Sequence, residues 1–105
     1  MSTTFATNNK GESEIYPKVV PAAGEDLWTS DVHAVEIQLI NKTSAAVTVT
    51  ISDKQTAPQP IVPPTVSIQA YGDAIWEFSG RLCPGGIHWS AGADDSIVGY
   101  VRVRP

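Results

Sequence analysis

Two histidines, His33 and His88, are the first residues to test for catalysis, because they are the only imidazole groups in the sequence. A hydrolytic site needs a nucleophile, a base and an orienting acid within hydrogen-bond reach of one another. Serines and aspartates are available, but no serine lies in a strand–turn–helix elbow or in another recognisable nucleophile setting. The sequence therefore predicts no catalytic residues, and we expect both histidines to lie on polar strand faces.

Two adjacent carboxylates, Asp94 and Asp95, are the best candidates for a cation site, because Ca²⁺ binds clustered oxygen ligands. They lack the spaced Asp-x-Asp pattern, and aspartates are common in turns, where they accept hydrogen bonds from nearby backbone amides. We therefore expect a turn here, and neither a metal nor another cofactor. The single cysteine, Cys83, excludes an intramolecular disulfide, and we expect it to be a small buried thiol.

Aromatic residues supply the candidates for an alternative function, carbohydrate binding. Trp76 and Trp89 share strand faces with other large apolar residues, so core packing is expected for both. Trp28 lies in a predicted loop over residues 22–31, and Tyr71 lies in a predicted turn. Exposed rings can stack on sugars, so these two are the candidate glycan-stacking residues of a carbohydrate-binding β-sandwich module.

Apolar and polar residues alternate over short stretches from residue 32 onward, which is the pattern of half-buried strands; Val35, Ile37 and Leu39 are one example. No stretch of ten residues has a helical period. The sequence therefore predicts an all-β fold, a single antiparallel β-sandwich of the jelly-roll or immunoglobulin-like type, with an open-mouthed barrel as the alternative. Within it we expect one hairpin over residues 31–53 and a closing hairpin over residues 82–103.

Glycines and prolines predict three local features. Gly85 and Gly86 permit positive φ at a corner, and Gly99 leaves room for an aromatic ring, with Trp89 as the candidate, to lie across its strand. The proline-rich segment 54–64 cannot be a central strand, because proline removes ladder donors. We therefore expect this segment to be a crossover between the two sheets.

Residues 1–14 are polar and are predicted to form a flexible N-terminal arm, while residues 15–105 form the predicted sandwich domain. The arm has no apolar segment typical of a signal peptide, and no segment of the chain is long enough to span a membrane. Seven Lys and Arg against eleven Asp and Glu give a net charge of −4, without any basic run. We therefore expect neither nucleic acid nor a membrane as a partner.

The closing segment LCPGGIHWSAGADDSIVGYVRV, preceded by AYGDAIWEFSG, contains a W-x-F-x-G strand, an L-x-x-GGI corner and a terminal GYV strand. In these features it resembles small β-sandwich proteins encoded among phage and prophage structural genes, over about residues 32–105. The pattern contains no catalytic motif. The resemblance implies a non-enzymatic virion structural protein, either a capsid decoration (cement) protein or a tail or baseplate accessory.

From this reading we expect a homo-oligomer, with a trimer as one form, that binds the major capsid or tail protein of a virion assembled in the host cytoplasm. Contacts would use the arm, one sandwich face and strand addition at an exposed edge. Many weak contacts repeated by symmetry would give strong attachment. The residues expected at these contacts, from their positions, are Phe5, Ile15, Tyr16, Val19, Val20, Pro58, Pro60, Pro63 and Pro64.

Overall fold

Antiparallel strands build the protein, whose structure is a computed structural model that describes residues 5–7, 13–63 and 66–105. The alternating β-branched and apolar residues of the long strands give each strand one face for the core. Within the described ranges, no helix is long and apolar enough to cross a membrane. The strands of these ranges are β1 (Phe5–Thr7), β2 (Ser13–Val19), β3 (Glu25–Trp28), β4 (Val32–Asn41), β5 (Val47–Asp53), β6 (Ser67–Ile68), β7 (Asp73–Cys83), β8 (Ile87–Ala91) and β9 (Ile97–Arg104).

The strands form two sheets. The five-stranded sheet has the order β1-β2-β9-β4-β7, and the four-stranded sheet has the order β3-β8-β5-β6. Without β1, these are the two sheets of a jelly roll, in which most connections carry the chain from one sheet to the other. The predicted antiparallel β-sandwich is therefore confirmed, and of the two types expected the topology is that of the jelly roll.

Both predicted hairpins are wrong, because their strands lie in different sheets. β4 pairs with β7 and β9, whereas β5 pairs with β6 and β8. β8 likewise pairs with β3 and β5 and not with β9. Alternation shows which face of a strand is buried, but both sheets of a sandwich bury a face in the same core. The pattern therefore does not identify the neighbours of a strand.

The described part of the proline-rich segment 54–64 is a loop within the four-stranded sheet and not the predicted crossover, since β5 and β6 are neighbours in that sheet. It folds back along β5. Pro60 forms an isolated bridge with Ser52, and the N–H of Ile61 donates to the carbonyl of Ile51 at 2.9 Å. Burial of Ile61 fixes this loop to the core. Pro60 lies at an isolated bridge and not in a continuous ladder, as expected for a residue that has no backbone N–H to donate.

A short strand, β3, forms inside the predicted loop over residues 22–31. Asp26 of β3 pairs with His88 of β8, and a register shift separates Asp26 from Trp28. This irregularity breaks the ladder after a few residues. The segment therefore forms an edge strand of the four-stranded sheet, which its polar sequence does not indicate.

Trp89 of β8 has the largest fully buried side chain among the described residues and lies in the core between the sheets. Its ring lies against Gly99 of the opposite sheet, and a Cβ added to Gly99 would meet the ring carbon Cζ3 and lie 2.6 Å from Cη2. The predicted pairing of this glycine with this ring is confirmed, but it forms across the sandwich and not across a hairpin. The indole N–H is satisfied, because it donates to Glu25 Oε1 at 3.0 Å.

Ser13 and Glu14, two residues of the predicted arm, belong to β2. β1 pairs with β2 in the register Phe5↔Ile15, so part of the predicted arm lies in the five-stranded sheet. The remainder of residues 1–14 lies outside the described residues. The division of the chain into an arm and a domain therefore stays a prediction.

Candidate functional site

The outer face of the five-stranded sheet carries a row of apolar side chains. The strand registers place Val19, Val98 and Ile40 directly beside one another on β2, β9 and β4. Ile75 of β7 lies diagonally next to Ile40, which pairs with Asp73. Val19, Ile40 and Ile75 are 39, 43 and 50% exposed. This apolar row, Val19, Val98, Ile40 and Ile75, is a contiguous exposed surface on a face that alternation would otherwise make polar, and such surfaces mark interaction sites.

Several polar side chains of the same face form contacts within the sheet. Tyr100 donates its hydroxyl hydrogen to Glu14 Oε1 at 2.7 Å, and burial together with this carboxylate raises the pKa of Tyr100 to about 12. Arg102 pairs with Glu36 at 3.2 Å. These contacts leave the apolar row available to a partner.

Sequence reasoning missed three members of the apolar row, although a signal was present. Ile40, Ile75 and Val98 each occupy the polar phase of their strand, opposite the phase that is buried. One apolar residue in the polar phase is ordinary, because much protein surface is apolar. Three in neighbouring strands indicate a contact face, but their adjacency appears only once the strand order is known.

The described sheet edges are poorly suited to strand addition. β1, β3 and β6 have three, four and two residues. β7 is longer, but its pairing with β4 shifts register between Ala34 and Glu36, and Gly80 opposite this shift has a φ of +101°. Short edges and bulges are devices that discourage pairing with another chain. The expected contact by strand addition is therefore less favoured than contact through a sheet face.

Among the residues predicted to contact a partner, Val19 belongs to the apolar row. Ile15 and Val20 are 1 and 0% exposed, so these two predictions are corrected: their side chains fill the core. The prolines of the set that are exposed are Pro58, Pro60 and Pro63. Pro64 and the side chains of Phe5 and Tyr16 lie outside the part of the chain that the structure describes. Contact between any of these residues and a partner stays a prediction.

The two candidate glycan-stacking residues are not brought together. Trp28 pairs with Ile87, and the Trp28 ring packs against the core. Ile87 in turn lies opposite Asp53 at the end of β5. Tyr71 is 72% exposed and follows β6, whose Ile68 pairs with Val47 at the start of β5. The length of β5, about 20 Å at 3.3 Å per residue, separates the two positions. The geometry therefore does not assemble the predicted stacking pair.

His88 forms part of a Ser–His–Asp row across three strands. Its Nδ1 lies 2.8 Å from Asp26 Oδ1 on β3, and Ser52 of β5 is its neighbour on the other side. However, the ring extends toward β3, since a Cβ added to Gly24 would lie 2.6 Å from His88 Nε2. The Nε2 atom therefore lies on the β3 side of His88, whereas Ser52 is its neighbour on the β5 side. His33 is on the opposite sheet, so the two histidines are apart, each on the outer face of its sheet.

A polar cleft of about 220 Å³ opens beside His88. Lys54 Nζ lies 2.9 Å from Asp26 Oδ2, and the bonds from Lys54 and His88 hold the pKa of Asp26 below its usual value. Burial alone would raise the pKa of Asp53. Its hydrogen bonds, among them the one from the Gln59 N–H at 3.0 Å, have the larger effect, so the pKa is lowered. The Lys54–Asp26 ion pair and the hydrogen bonds of Asp53 hold the loop after β5 in place. The charged groups that line the cleft therefore have a structural role.

Asp94 and Asp95 form the predicted turn between β8 and β9. Asp94 Oδ1 accepts the Ala22 N–H at 3.0 Å, and Asp95 has a φ of +53° and pairs with Lys42 at 2.7 Å. Over the described ranges, no group of three or more His, Cys, Asp or Glu side chains is placed to hold a metal ion.

Cys83 is fully buried at the end of β7, which confirms the predicted buried thiol. Burial raises the pKa of the thiol, so little thiolate is present at neutral pH. We expect Ellman's reagent to react about 100-fold more slowly with native protein than with protein unfolded in guanidinium chloride, since reaction requires opening of the fold.

A matched control for this reaction is Cys83→Ala combined with Ser44→Cys, which moves the thiol to an exposed turn. That variant should react at once in the native state. A native wild-type thiol that reacted as fast as the one in the control would contradict the burial of Cys83.

Comparisons with known proteins bear on the fold. No protein-family model matches the sequence, and no curated protein sequence matches it significantly. Among solved structures, a Bacillus protein described under "Bacillus endospore appendages form a novel family of disulfide-linked pili" has a TM-score of 0.55 at 11% identity, covering 98% of this chain and 88% of that chain. The Tobacco streak virus coat protein has a TM-score of 0.43 at 9% identity, covering 93% and 89%, and a chain described as CBM4 has 0.34 at 12%, covering 97% and 75%. At these identities the first similarity shows a shared β-sandwich fold.

Proposed function

We propose that the chain is a non-enzymatic structural subunit of a virion, of the capsid decoration type, which self-associates and binds the particle surface. The observation that carries the proposed binding to a particle is the apolar row on the outer face of the five-stranded sheet. Burying an apolar side chain of this size contributes about 1.5–3 kcal/mol before the cost of association. A tail or baseplate accessory would use the same surface, and the location of the chain on a particle distinguishes the two.

The Bacillus protein of similar fold belongs to appendages described as disulfide-linked pili. A fold alone does not carry a function, so this similarity supports only the use of such a sandwich as a repeating unit. Its linkage cannot be copied here, because Cys83, the single cysteine of this sequence, is buried. Assembly of this chain would therefore depend on non-covalent contacts, which gain strength when symmetry repeats them.

Labelling of particles tests the proposal. Antibodies to the chain should label particles in a phage or prophage-induced lysate, and the pure protein should be larger than a monomer in light scattering. Ile40→Glu combined with Ile75→Glu should weaken binding to those particles at least tenfold, since both place a charge in the contact (~1.4 kcal/mol per factor of ten).

The matched control is Thr48→Glu combined with Thr50→Glu, which adds the same charge to exposed positions on the four-stranded sheet. This variant should bind particles as the wild type does. Unlabelled particles together with a monomer at high protein concentration would show that the proposed function is wrong.

A further inference from the structure

A pocket of about 420 Å³ adjoins the apolar row at Val19. It lies where β2 ends, between the β2–β3 connection and the β8–β9 turn. Val19 and Pro21 form its apolar wall, and the volume is within the range of ligand sites in proteins. Its other lining residues are all ionisable: Lys18, Glu25, Asp94 and Asp95.

The ammonium group in this lining is already neutralised. Lys18 Nζ lies 3.0 Å from Glu25 Oε1 and 3.1 Å from Glu25 Oε2. Glu25 Oε1 also accepts the Trp89 N–H, which ties the pair to the core. The side chains of Lys18 and Glu25 are only 21 and 13% exposed. This ion pair therefore contributes no net charge to the pocket.

Asp94 and Asp95 give the pocket its negative charge. The hydrogen bond from the Ala22 N–H to Asp94 Oδ1 positions this carboxylate but does not neutralise it. Asp95 pairs with Lys42, which is not part of the lining, and the Asp95 side chain is 80% exposed. Exposed ion pairs are weak, so this contact leaves Asp95 able to pair with a second cation.

We infer that this pocket binds a lysine or arginine side chain of a partner protein whose apolar residues cover the apolar row. The aliphatic stem of the side chain lies on Val19 and Pro21, and its charged end pairs with Asp94 and Asp95. The inference rests on the proposed function in one respect only, the identity of the partner as a particle protein.

Charge favours a partner other than a second copy of this chain. The sequence has eleven Asp and Glu against seven Lys and Arg, and exposed Asp73 and Glu77 add negative charge along the same outer face. Two such faces repel each other, whereas a basic surface gains attraction and a faster approach. The partner surface is therefore apolar at its centre and cationic where it meets the pocket.

Hexylguanidinium is a probe for this site, because its chain and its charged end imitate an arginine side chain. Titrated into ¹⁵N-labelled protein and followed by NMR, it should cause saturable shifts at the amides of Val19, Asp94 and Asp95. Hexanoate, with the opposite charge, should cause none. We expect a dissociation constant in the millimolar range that rises with added salt.

Asp94→Asn combined with Asp95→Asn should weaken binding of hexylguanidinium at least fivefold. Asparagine keeps an acceptor oxygen for the Ala22 N–H and tolerates the positive φ of position 95, so the turn is retained. The matched control, Asp73→Asn combined with Glu77→Gln, removes the same charge from the same face and should leave binding unchanged.

Three results would overturn the inference: no saturable binding, equal binding of hexanoate, or equal weakening by the two double variants. The test is independent of the particle experiment. If hexylguanidinium binds as expected but no particle is labelled and the pure protein is a monomer, the pocket stands and the proposed function fails. If particles are labelled but the probe does not bind, the function stands and the pocket inference fails.

Discussion

Replacing Gly99 by alanine lowers the expected free energy of unfolding by about 3 kcal/mol. The new Cβ would meet Cζ3 of Trp89, lie 2.6 Å from Cη2 and lie 3.1 Å from Val20 Cγ2. The ring cannot move aside easily, because Trp89 is fully buried and its N–H is bound to Glu25. Urea unfolding followed by circular dichroism measures the loss as a lower midpoint with an unchanged slope.

Trp89→Leu supplies the control, since leucine lacks the ring carbons that the new Cβ would meet. In that background we expect Gly99→Ala to cost less than about 1 kcal/mol, which gives a coupling of about 2 kcal/mol between the two positions. Equal costs in both backgrounds would mean that the ring does not lie on Gly99. The packing would also be contradicted if Gly99→Ala, made in the otherwise wild-type protein, unfolded at the same urea concentration as the wild type.

Burial along single strands could be predicted from the sequence, because it depends on local alternation. The buried phases of β5, β8 and β9 are those that the sequence indicates. In β4 the alternation is misleading, because it groups Val35 with Ile37 and Leu39, yet Ala34 and not Val35 is buried. A register shift between Ala34 and Glu36 changes the phase, and bulges of this kind have no reliable local signature.

The candidate site could not be predicted in this way, because its residues are distant in the sequence. Val19, Ile40 and Val98 become neighbours only through the strand order β2-β9-β4. In the four-stranded sheet, Trp28 and Tyr71 lie at opposite ends of β5. The pairing of Asp26 with His88, 62 residues apart, depends on a strand that the sequence did not reveal. Sheet partners are set by the whole core, so a local pattern carries little information about them.

Replacing Gly86 by alanine has the largest expected effect on folding, a loss of about 4 kcal/mol or more in the free energy of unfolding. Gly86 has a φ of +115°, which agrees with the positive φ predicted for the Gly85–Gly86 corner. A Cβ here would meet the Trp28 carbonyl oxygen and lie 2.5 Å from the carbonyl carbon. Both are backbone atoms of β3, which pairs with β8 at Ile87, so neither strand can yield without breaking the ladder.

Gly92→Ala separates this effect from the general cost of adding a methyl group. The φ of Gly92 lies outside the region that favours glycine, and the nearest atom to its Cβ, the Thr48 carbonyl oxygen, is 3.2 Å away. We expect this variant to lose about 1 kcal/mol or less. Because the Gly86 corner starts the strand that carries Trp89 into the core, Gly86→Ala should also expose Cys83 to Ellman's reagent. If Gly86→Ala and Gly92→Ala unfold at the same urea concentration, the corner does not hold β8 against β3 as described.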